Sequence, residues 1–486
     1  MSNLNYKILS GIIAALLVYA ALSLFSNCDG TVAKMAAVAV LMAVWWLTEA
    51  VHMAVTALLP VVLLPVLGIL DSKTTCMQYM DPIIFLFIGG FIIAFAVEKW
   101  MLHERLALKI LSRTGSGASS ILLGVMLTAY FISMWISNTA TVMMLYSCVM
   151  AIVYRMEKHE ESGRAAKLAT ALLIGLAYAA NIGGMGTLVG TPTNMIFYRE
   201  YQSAFPENHD VNFFSWFVIA FPISLLLMFA TYFILKKLFI EKGTSLVLDK
   251  NYFKDAYDKL GAFSYEEKVI SFIFFTTAVL WFTRSDIAFG SFTFKGWANL
   301  FAKPDLLNDS TVAVFMALLL FFIPSKTHKE KSLIGWEDAS KLPFDIILLF
   351  GGGFALAKGM ESSGLSTWIG GHLGFASGVN IYFFIGVLCM FVTIISEFAS
   401  NVACIQLMLP ILISLQKDMN VHPLLLLLPA TLAASLGFML PVATAPNTIV
   451  FGSKKIKTND MLKAGLIVDL LGIVFITVGM VVYSMI

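Results

Sequence analysis

The sequence predicts an all-α polytopic membrane protein, on three observations. Of its 486 residues, 59% are hydrophobic and only 13% are charged, against roughly 25% charged in a soluble domain. That leaves too little polar surface to face water on every side. Apolar runs long enough to span a bilayer as a helix, roughly 17–25 residues, recur from end to end. The runs are continuously apolar rather than alternating. This favours helices over a closed barrel, the two architectures whose backbone groups are satisfied without water.

Taken in order, the apolar segments fall near 8–26, 32–50, 53–70, 82–97, 119–136, 139–154, 168–190, 212–235, 268–283, 310–324, 344–358, 380–396, 402–416, 423–442 and 462–485. The first begins just after Lys7 and is followed by no A-x-A-like cleavage site, so it reads as a retained helix rather than a signal peptide. The stretch 241–267 is polar, with Lys242, Lys250, Asp255, Asp258, Glu266 and Glu267 among its charges, and reads as an aqueous linker. The expected organisation is N-terminal helices over 1–52, a first repeat over 53–240, a cytoplasmic linker over 241–267 and a second repeat over 268–486.

The two halves resemble each other. Phe85-Leu86-Phe87-Ile88-Gly89-Gly90-Phe91 matches Leu348-Leu349-Phe350-Gly351-Gly352-Gly353-Phe354, and Ser137-Asn138-Thr139-Ala140 matches Ser400-Asn401-Val402-Ala403, both at an offset of 263 residues. Thr191 and Asn194 match Thr444 and Asn447 at an offset of 253. Such internal repeats are common in secondary transporters.

Lys and Arg mark cytoplasmic loops. Lys99, Arg105, Lys109 and Arg113 precede the stretch 119–154, and Arg155, Lys158, Arg164 and Lys167 follow it. With both ends on one side and a break at Ser137-Asn138, the stretch reads as a re-entrant hairpin. Its counterpart over 380–416 has few basic neighbours and is expected to enter from the outside. Equivalent elements entering from opposite sides make an inverted-topology repeat.

Chemistry is expected where the apolar runs break. Gly190-Thr191-Pro192-Thr193-Asn194 interrupts one run and Pro441-Val442-Ala443-Thr444-Ala445-Pro446-Asn447 another. Gly frees the backbone and Pro removes a donor, and unwound backbone at membrane depth is tolerated only where it is buried in protein or lines a wet cavity. Ser133, Ser137, Asn138, Ser396, Ser400, Asn401 and Thr444 add neutral oxygens, which suit a hard cation such as Na⁺. Helix N-termini after the tips would offer N–H groups to an anion. One terminus contributes about 0.3–2 kcal/mol, whereas removing a carboxylate from water costs several kcal/mol. No Lys or Arg lies within these motifs, so co-bound cations are expected to make up the difference. Small polar residues also serve close helix packing; the duplicated Ser-Asn pair on two predicted tips is what favours a site.

Other residues leave two readings open. Glu49, after Trp45-Trp46, is an ion-pathway acid or an interfacial anchor. Glu397 is a functional acid or a brace between the hairpin arms. The five Cys are scattered without CxxC spacing, and three of them lie in apolar runs as small hydrophobes. No P-loop, HExxH or His cluster is present, and the net charge of +2 indicates no nucleic-acid partner. No enzyme activity and no organic cofactor are expected.

At these motifs, together with Trp45-Trp46-Leu47-Thr48-Glu49-Ala50, the chain resembles the divalent anion–sodium symporter family of the ion transporter superfamily. The resemblance covers most of the chain. It implies a homodimer in the cell inner membrane, each protomer having about eleven transmembrane helices, two hairpins, a scaffold domain and a transport domain that works as an elevator. It implies a first sodium site from Ser133, Ser137, Asn138 and the Gly190 backbone, and a second from Ser396, Ala399, Ser400, Asn401 and Ala443. Substrate would lie between the tips, against Asn138, Thr139, Thr191, Ser400, Asn401 and Val402. Family substrates include C4 dicarboxylates such as succinate, tricarboxylates and sulfate. The chain departs from the family pattern at Val402, where Thr is usual, at Ala445, where Pro is common, and at His52, where a Pro often stands. The expected activity is import of a C4 dicarboxylate with Na⁺. The alternatives are sodium-independent dicarboxylate exchange and sodium-coupled carriage of sulfate or a tricarboxylate.

Overall fold

The computed structural model describes residues 3–26, 28–115, 117–157, 162–208, 210–241, 252–289, 292–328, 331–372 and 378–485. These residues are almost entirely helical, apart from a short antiparallel hairpin of Ile287–Phe289 with Phe292–Phe294. Among the described residues, nine helices are long and apolar enough to cross a membrane, and four shorter apolar helices accompany them. The chain is thus a multi-pass membrane protein by length and composition.

Each expected apolar segment coincides with helix, and the departures have local causes. The segment 53–70 is two helices, Met53–Ala57 and Leu59–Val66, because Pro60 opens the second and has no N–H to continue the first. The segments 168–190 and 423–442 end early, at Met185 and Ala434. New helices then start at Pro192 and Ala445, each with a proline in its first turn. Between them the backbone is unwound, as the Gly and Pro content predicts.

Two readings are corrected. The basic stretch 99–113 is not a loop but contains the amphipathic helix Leu102–Thr114, whose Arg105 is only 4% exposed. Arg105 Nε donates to Glu267 Oε1 at 2.7 Å and Nη2 to Oε2 at 3.1 Å; the guanidinium also bonds the Leu260 and Gly261 carbonyls. Nor are Glu266 and Glu267 in water. Glu267 closes a capping box with Ser264 at the start of helix Tyr265–Phe282 (3.1 and 2.7 Å). Glu266 accepts bonds from the Ser325 hydroxyl (2.9 Å) and from the Lys326 and Thr327 amides (2.9 and 2.8 Å). Burial alone would push the Glu266 carboxyl up, but the Thr327 amide and the Ser325 hydroxyl outweigh it and bring it down to about 2. Residues 242–251 of the expected linker, with Lys242 and Lys250, lie outside the described residues; Lys158, of the basic cluster after 154, does too.

The apolar core has two parts. The smaller joins Gly30–Thr48, the helices over 53–66 and one face of Phe344–Ser362. The larger holds most of the remaining helices around Ser162–Met185, whose apolar window is wholly buried. That helix touches Ala118–Ser133, Asn138–Glu157, Phe213–Phe239 and Ala445–Phe451.

Candidate functional site

The two Ser-Asn motifs build matching geometry. In the first half, helix Ala118–Ser133 ends, four residues follow, and helix Asn138–Glu157 begins. Ser133 Oγ donates to Asn138 Oδ1 across this tip at 2.7 Å. In the second half, helix Ile381–Phe398 ends, two residues follow, and Asn401–Met419 begins. There Ser396 Oγ donates to Asn401 Oδ1 at 2.8 Å, and it is also 2.6 Å from the Ala434 carbonyl. Ser133 and Ser396 are both fully buried. The same Ser-to-Asn bond, five residues apart, thus forms at both tips.

The unwound breaks match as well. Asn194 Nδ2 donates to the Gly184 and Thr187 carbonyls at 3.0 and 2.8 Å. Asn447 Nδ2 donates to the Gly437 and Leu440 carbonyls at 2.9 and 3.1 Å. Each Asn therefore reaches back ten and seven residues to tie carbonyls that the interrupted helix leaves without partners. The break in the second half is also held from outside. The Met439 and Leu440 amides donate to the two carboxylate oxygens of Glu397 at 2.8 and 2.9 Å. Of the two readings of Glu397, the geometry is that of a brace, joining the hairpin to the break rather than arm to arm. Asp469 faces Glu397 from helix Thr458–Tyr483.

Tips and breaks come together crosswise. Helix Asn138–Glu157 packs on Ala445–Phe451, and Asn401–Met419 packs on Pro192–Ala204, so each hairpin meets the break of the other half. Thr193 Oγ1 and Ser435 Oγ meet at 3.2 Å between the breaks. In the first half, Asn138 Oδ1 and the Gly190 carbonyl both press on Gly184; a Cβ there would collide with the Asn138 oxygen and lie 3.1 Å from that carbonyl. In the second, Ala443, Thr444 and Asn401 Oδ1 close around Gly437, 3.5–3.7 Å from the position of a Cβ.

The remaining expected residues edge this region. Ser137 Oγ accepts the Ala140 amide at 3.3 Å, and Ser137 and Gly190 share a narrow crevice with Trp135 and Pro192. Thr191 and Ala399 are buried and stand at helix ends, and Thr139 is half-buried. Ser400 and Val402 line a cavity of about 610 Å³ with Pro192, Glu49 and His52. Glu49 is exposed and ends helix Gly30–Thr48 in a left-handed conformation, beside the buried Trp46. Among the described residues no group of three or more His, Cys, Asp or Glu gathers in the way that would hold a metal ion.

Sequence reasoning gave no place to Asn181, and it quoted Asn194, Asn447 and Thr444 in the break motifs without the bonds they make. Asn194 and Asn447 stand in the quoted motifs, so their repeat was the available signal. Asn181 carries no motif, but a lone amide in an otherwise small and apolar run, Ala179-Ala180-Asn181-Ile182-Gly183, was a signal of its own.

The site consists of neutral oxygens and helix N-termini that begin at the tips and breaks, an arrangement able to coordinate a cation and to accept an anion. Comparison with known proteins agrees with that chemistry. Residues 4–486 match the family described as sodium:sulfate symporter transmembrane region. The sodium-dependent dicarboxylate transporter SdcS of Staphylococcus saprophyticus is 41% identical over 456 residues, covering 93% of this chain and 85% of the relative. SdcS of Staphylococcus aureus is 38% identical over 452 residues, covering 90% and 84%. Among solved structures, Neisseria gonorrhoeae MtrF superposes with a TM-score of 0.55 at 12% identity, over 85% of this chain and 83% of that one. The Alcanivorax borkumensis YdaH transporter superposes with a TM-score of 0.53 at 11% identity, over 99% and 97%. At such identities the two structures speak for the fold alone. On the family match over nearly its whole length, this chain belongs to the sodium:sulfate symporter transmembrane-region family.

Proposed function

We propose that this protein is a secondary active transporter that imports C4 dicarboxylates of the succinate, malate and fumarate class together with Na⁺. The observation that carries the reading is the duplicated Ser-to-Asn bond, Ser133 to Asn138 and Ser396 to Asn401, beside unwound breaks that carry no Lys or Arg. A dianion bound there needs positive charge from elsewhere, and sodium supplies it. The names of the SdcS relatives support both the ion and the substrate class.

In this reading the first sodium is held by Ser133, Ser137, Asn138 and the Gly190 carbonyl, and the second by Ser396, Ala399, Ser400, Asn401 and Ala443. Substrate sits between the tips, against Asn138, Thr139, Thr191, Ser400, Asn401 and Val402. Eleven spans and two re-entrant hairpins make up an inverted repeat, and the protein is a homodimer in the cell inner membrane. The transport domain carries both tips and moves past the scaffold as an elevator. Crosswise packing of hairpin on opposite break supports the inverted repeat. Helix Ala118–Ser133, with 16 residues, is about 24 Å long and falls short of the roughly 30 Å hydrocarbon core, which supports a re-entrant first arm. Two Na⁺ with a dianion move no net charge; a third would let the membrane potential contribute about 2.3 kcal/mol per 100 mV.

The test is uptake of radiolabelled succinate into proteoliposomes with and without an inward sodium gradient. Sodium-driven uptake is expected. Equal uptake in both conditions, with counterflow driven by internal succinate, would establish an exchanger instead. Competition by sulfate or citrate at concentrations where malate does not compete would move the substrate class.

A further inference from the structure

Asn181 takes no part in the sites above, yet it joins them. It lies in the wholly buried stretch 168–185 of helix Ser162–Met185 and is itself 2% exposed. A primary amide in such surroundings is costly unless both ends are bonded. Both are. Its Oδ1 accepts Asn138 Nδ2 at 3.3 Å, and its Nδ2 donates to Thr444 Oγ1 at 3.0 Å. One partner belongs to the tip in the first half and the other to the break in the second. The position equivalent to Asn181 in the second half, by the offset of 253, is Ala434, which has no polar side chain and only its backbone carbonyl near Ser396 Oγ, at 2.6 Å. The side-chain bridge is therefore particular to the first half.

The bridge fixes the polarity of both partners. With its amide nitrogen committed to Asn181, Asn138 turns Oδ1 toward Ser133 and against Gly184, where the Gly190 carbonyl also abuts, which is the orientation a cation requires. Thr444 Oγ1 accepts two bonds, from Asn181 Nδ2 and from the Asn447 amide at 3.3 Å. A hydroxyl oxygen has two lone pairs, so the Thr444 hydrogen is directed away from both donors and is free to meet an anion. We propose that Asn181 is a positioning residue whose one amide sets Asn138 as the oxygen donor to sodium in the first half and Thr444 as the hydrogen donor to a substrate carboxylate in the second, so that ion and dicarboxylate bind as one event. The inference rests on the sodium-coupled reading above and deepens it.

The experiment compares wild type with Asn181→Leu, which keeps the branching and the number of heavy atoms and removes both bonds, in proteoliposomes. Sodium half-saturation, succinate KM and maximal rate are measured for each. Both half-saturation constants should rise about ten-fold, as expected from losing two ordinary hydrogen bonds, with the maximal rate kept within about two-fold. A residue that merely packs would change the yield of folded protein or the maximal rate and leave both constants at their wild-type values; that result overturns the role. If Asn181→Leu does not insert, Asn181→Ser is measured in the same way, since its short hydroxyl cannot span both partners. Wild-type uptake that ignores sodium overturns the functional reading and this role with it. Sodium-driven wild-type uptake with unshifted constants in the variant overturns the positioning role alone.

Discussion

Replacing Arg105 with Met removes the charge that holds Glu267 in the protein interior. The Arg105 and Glu267 side chains are 5% and 9% exposed, and the guanidinium spans both carboxylate oxygens at 2.7 and 3.1 Å. It also lies 4.7 Å from the centre of the Phe263 ring and bonds two carbonyls at the turn before helix Tyr265–Phe282. Breaking a buried pair from one side costs about 3–5 kcal/mol. The two carbonyls border the surface and can take water, so they add less. On a rough scale of 2–4 °C per kcal/mol, Arg105→Met should lower the thermal midpoint of the purified protein by on the order of 10 °C. The double variant Arg105→Met, Glu267→Gln removes both charges. It should lie closer to wild type than the two single losses combined, with a coupling of about 2 kcal/mol. The assay is thermal unfolding in detergent, followed by tryptophan fluorescence and by loss of the monodisperse peak. Simple addition of the two single effects in the double variant would refute the reasoning, because it would mean that guanidinium and carboxylate do not sense each other.

Three further outcomes are expected. Glu397→Gln keeps one acceptor but turns an NH₂ toward the Met439 or Leu440 amide; one unsatisfied buried N–H costs about 1–3 kcal/mol. Sodium half-saturation of uptake should therefore rise roughly ten- to hundred-fold, and an unchanged value would show that the break holds its shape without the brace. Val402→Thr adds a hydroxyl at nearly constant volume to the wall shared with Ser400. If that wall faces substrate, succinate KM falls about 2- to 10-fold, as for one new hydrogen bond; an unchanged KM places residue 402 away from the carboxylates. Glu266 has a folded carboxyl at about 2, below its ordinary value of 4.5, so its stabilisation is complete above 4.5 and is lost as pH falls toward 2. Glu266→Gln should lower the thermal midpoint at neutral pH, and the gap from wild type should close in acid; a gap independent of pH would count against the carboxylate acting as an anion there.

The long helices could be read from the chain because bilayer-length apolar runs admit little else. The breaks were equally plain, since Gly190-Thr191-Pro192 and Pro441…Pro446 offer no route for a continuous helix. What escaped was polar and distant in sequence. Arg105 looked like one of four loop charges, and nothing local announced that Glu267, far along the chain, would bury it. Helix Leu102–Thr114 was hidden for the same reason: its apolar stripe is narrow and its charges dominate a window average. The repeat disclosed which Ser and Asn would correspond, but not that each hairpin would lie on the break of the other half. Asn181 was the hardest case, because its partners Asn138 and Thr444 come from opposite halves and neither neighbours it in sequence.

Helix Ser162–Met185 is synthesised long before the chain that will cover it. Tyr178 waits for the carbonyls of Phe438 and Met461, and Asn181 waits for Thr444. Until the last two long segments are threaded into the bilayer, the Tyr178 hydroxyl lacks both of its acceptors and the Asn181 amide is held only from its Asn138 side. The half that is made first is thus an unfinished object. Its maturation is tied to the arrival of its twin, and the seam along this helix is where assembly is completed.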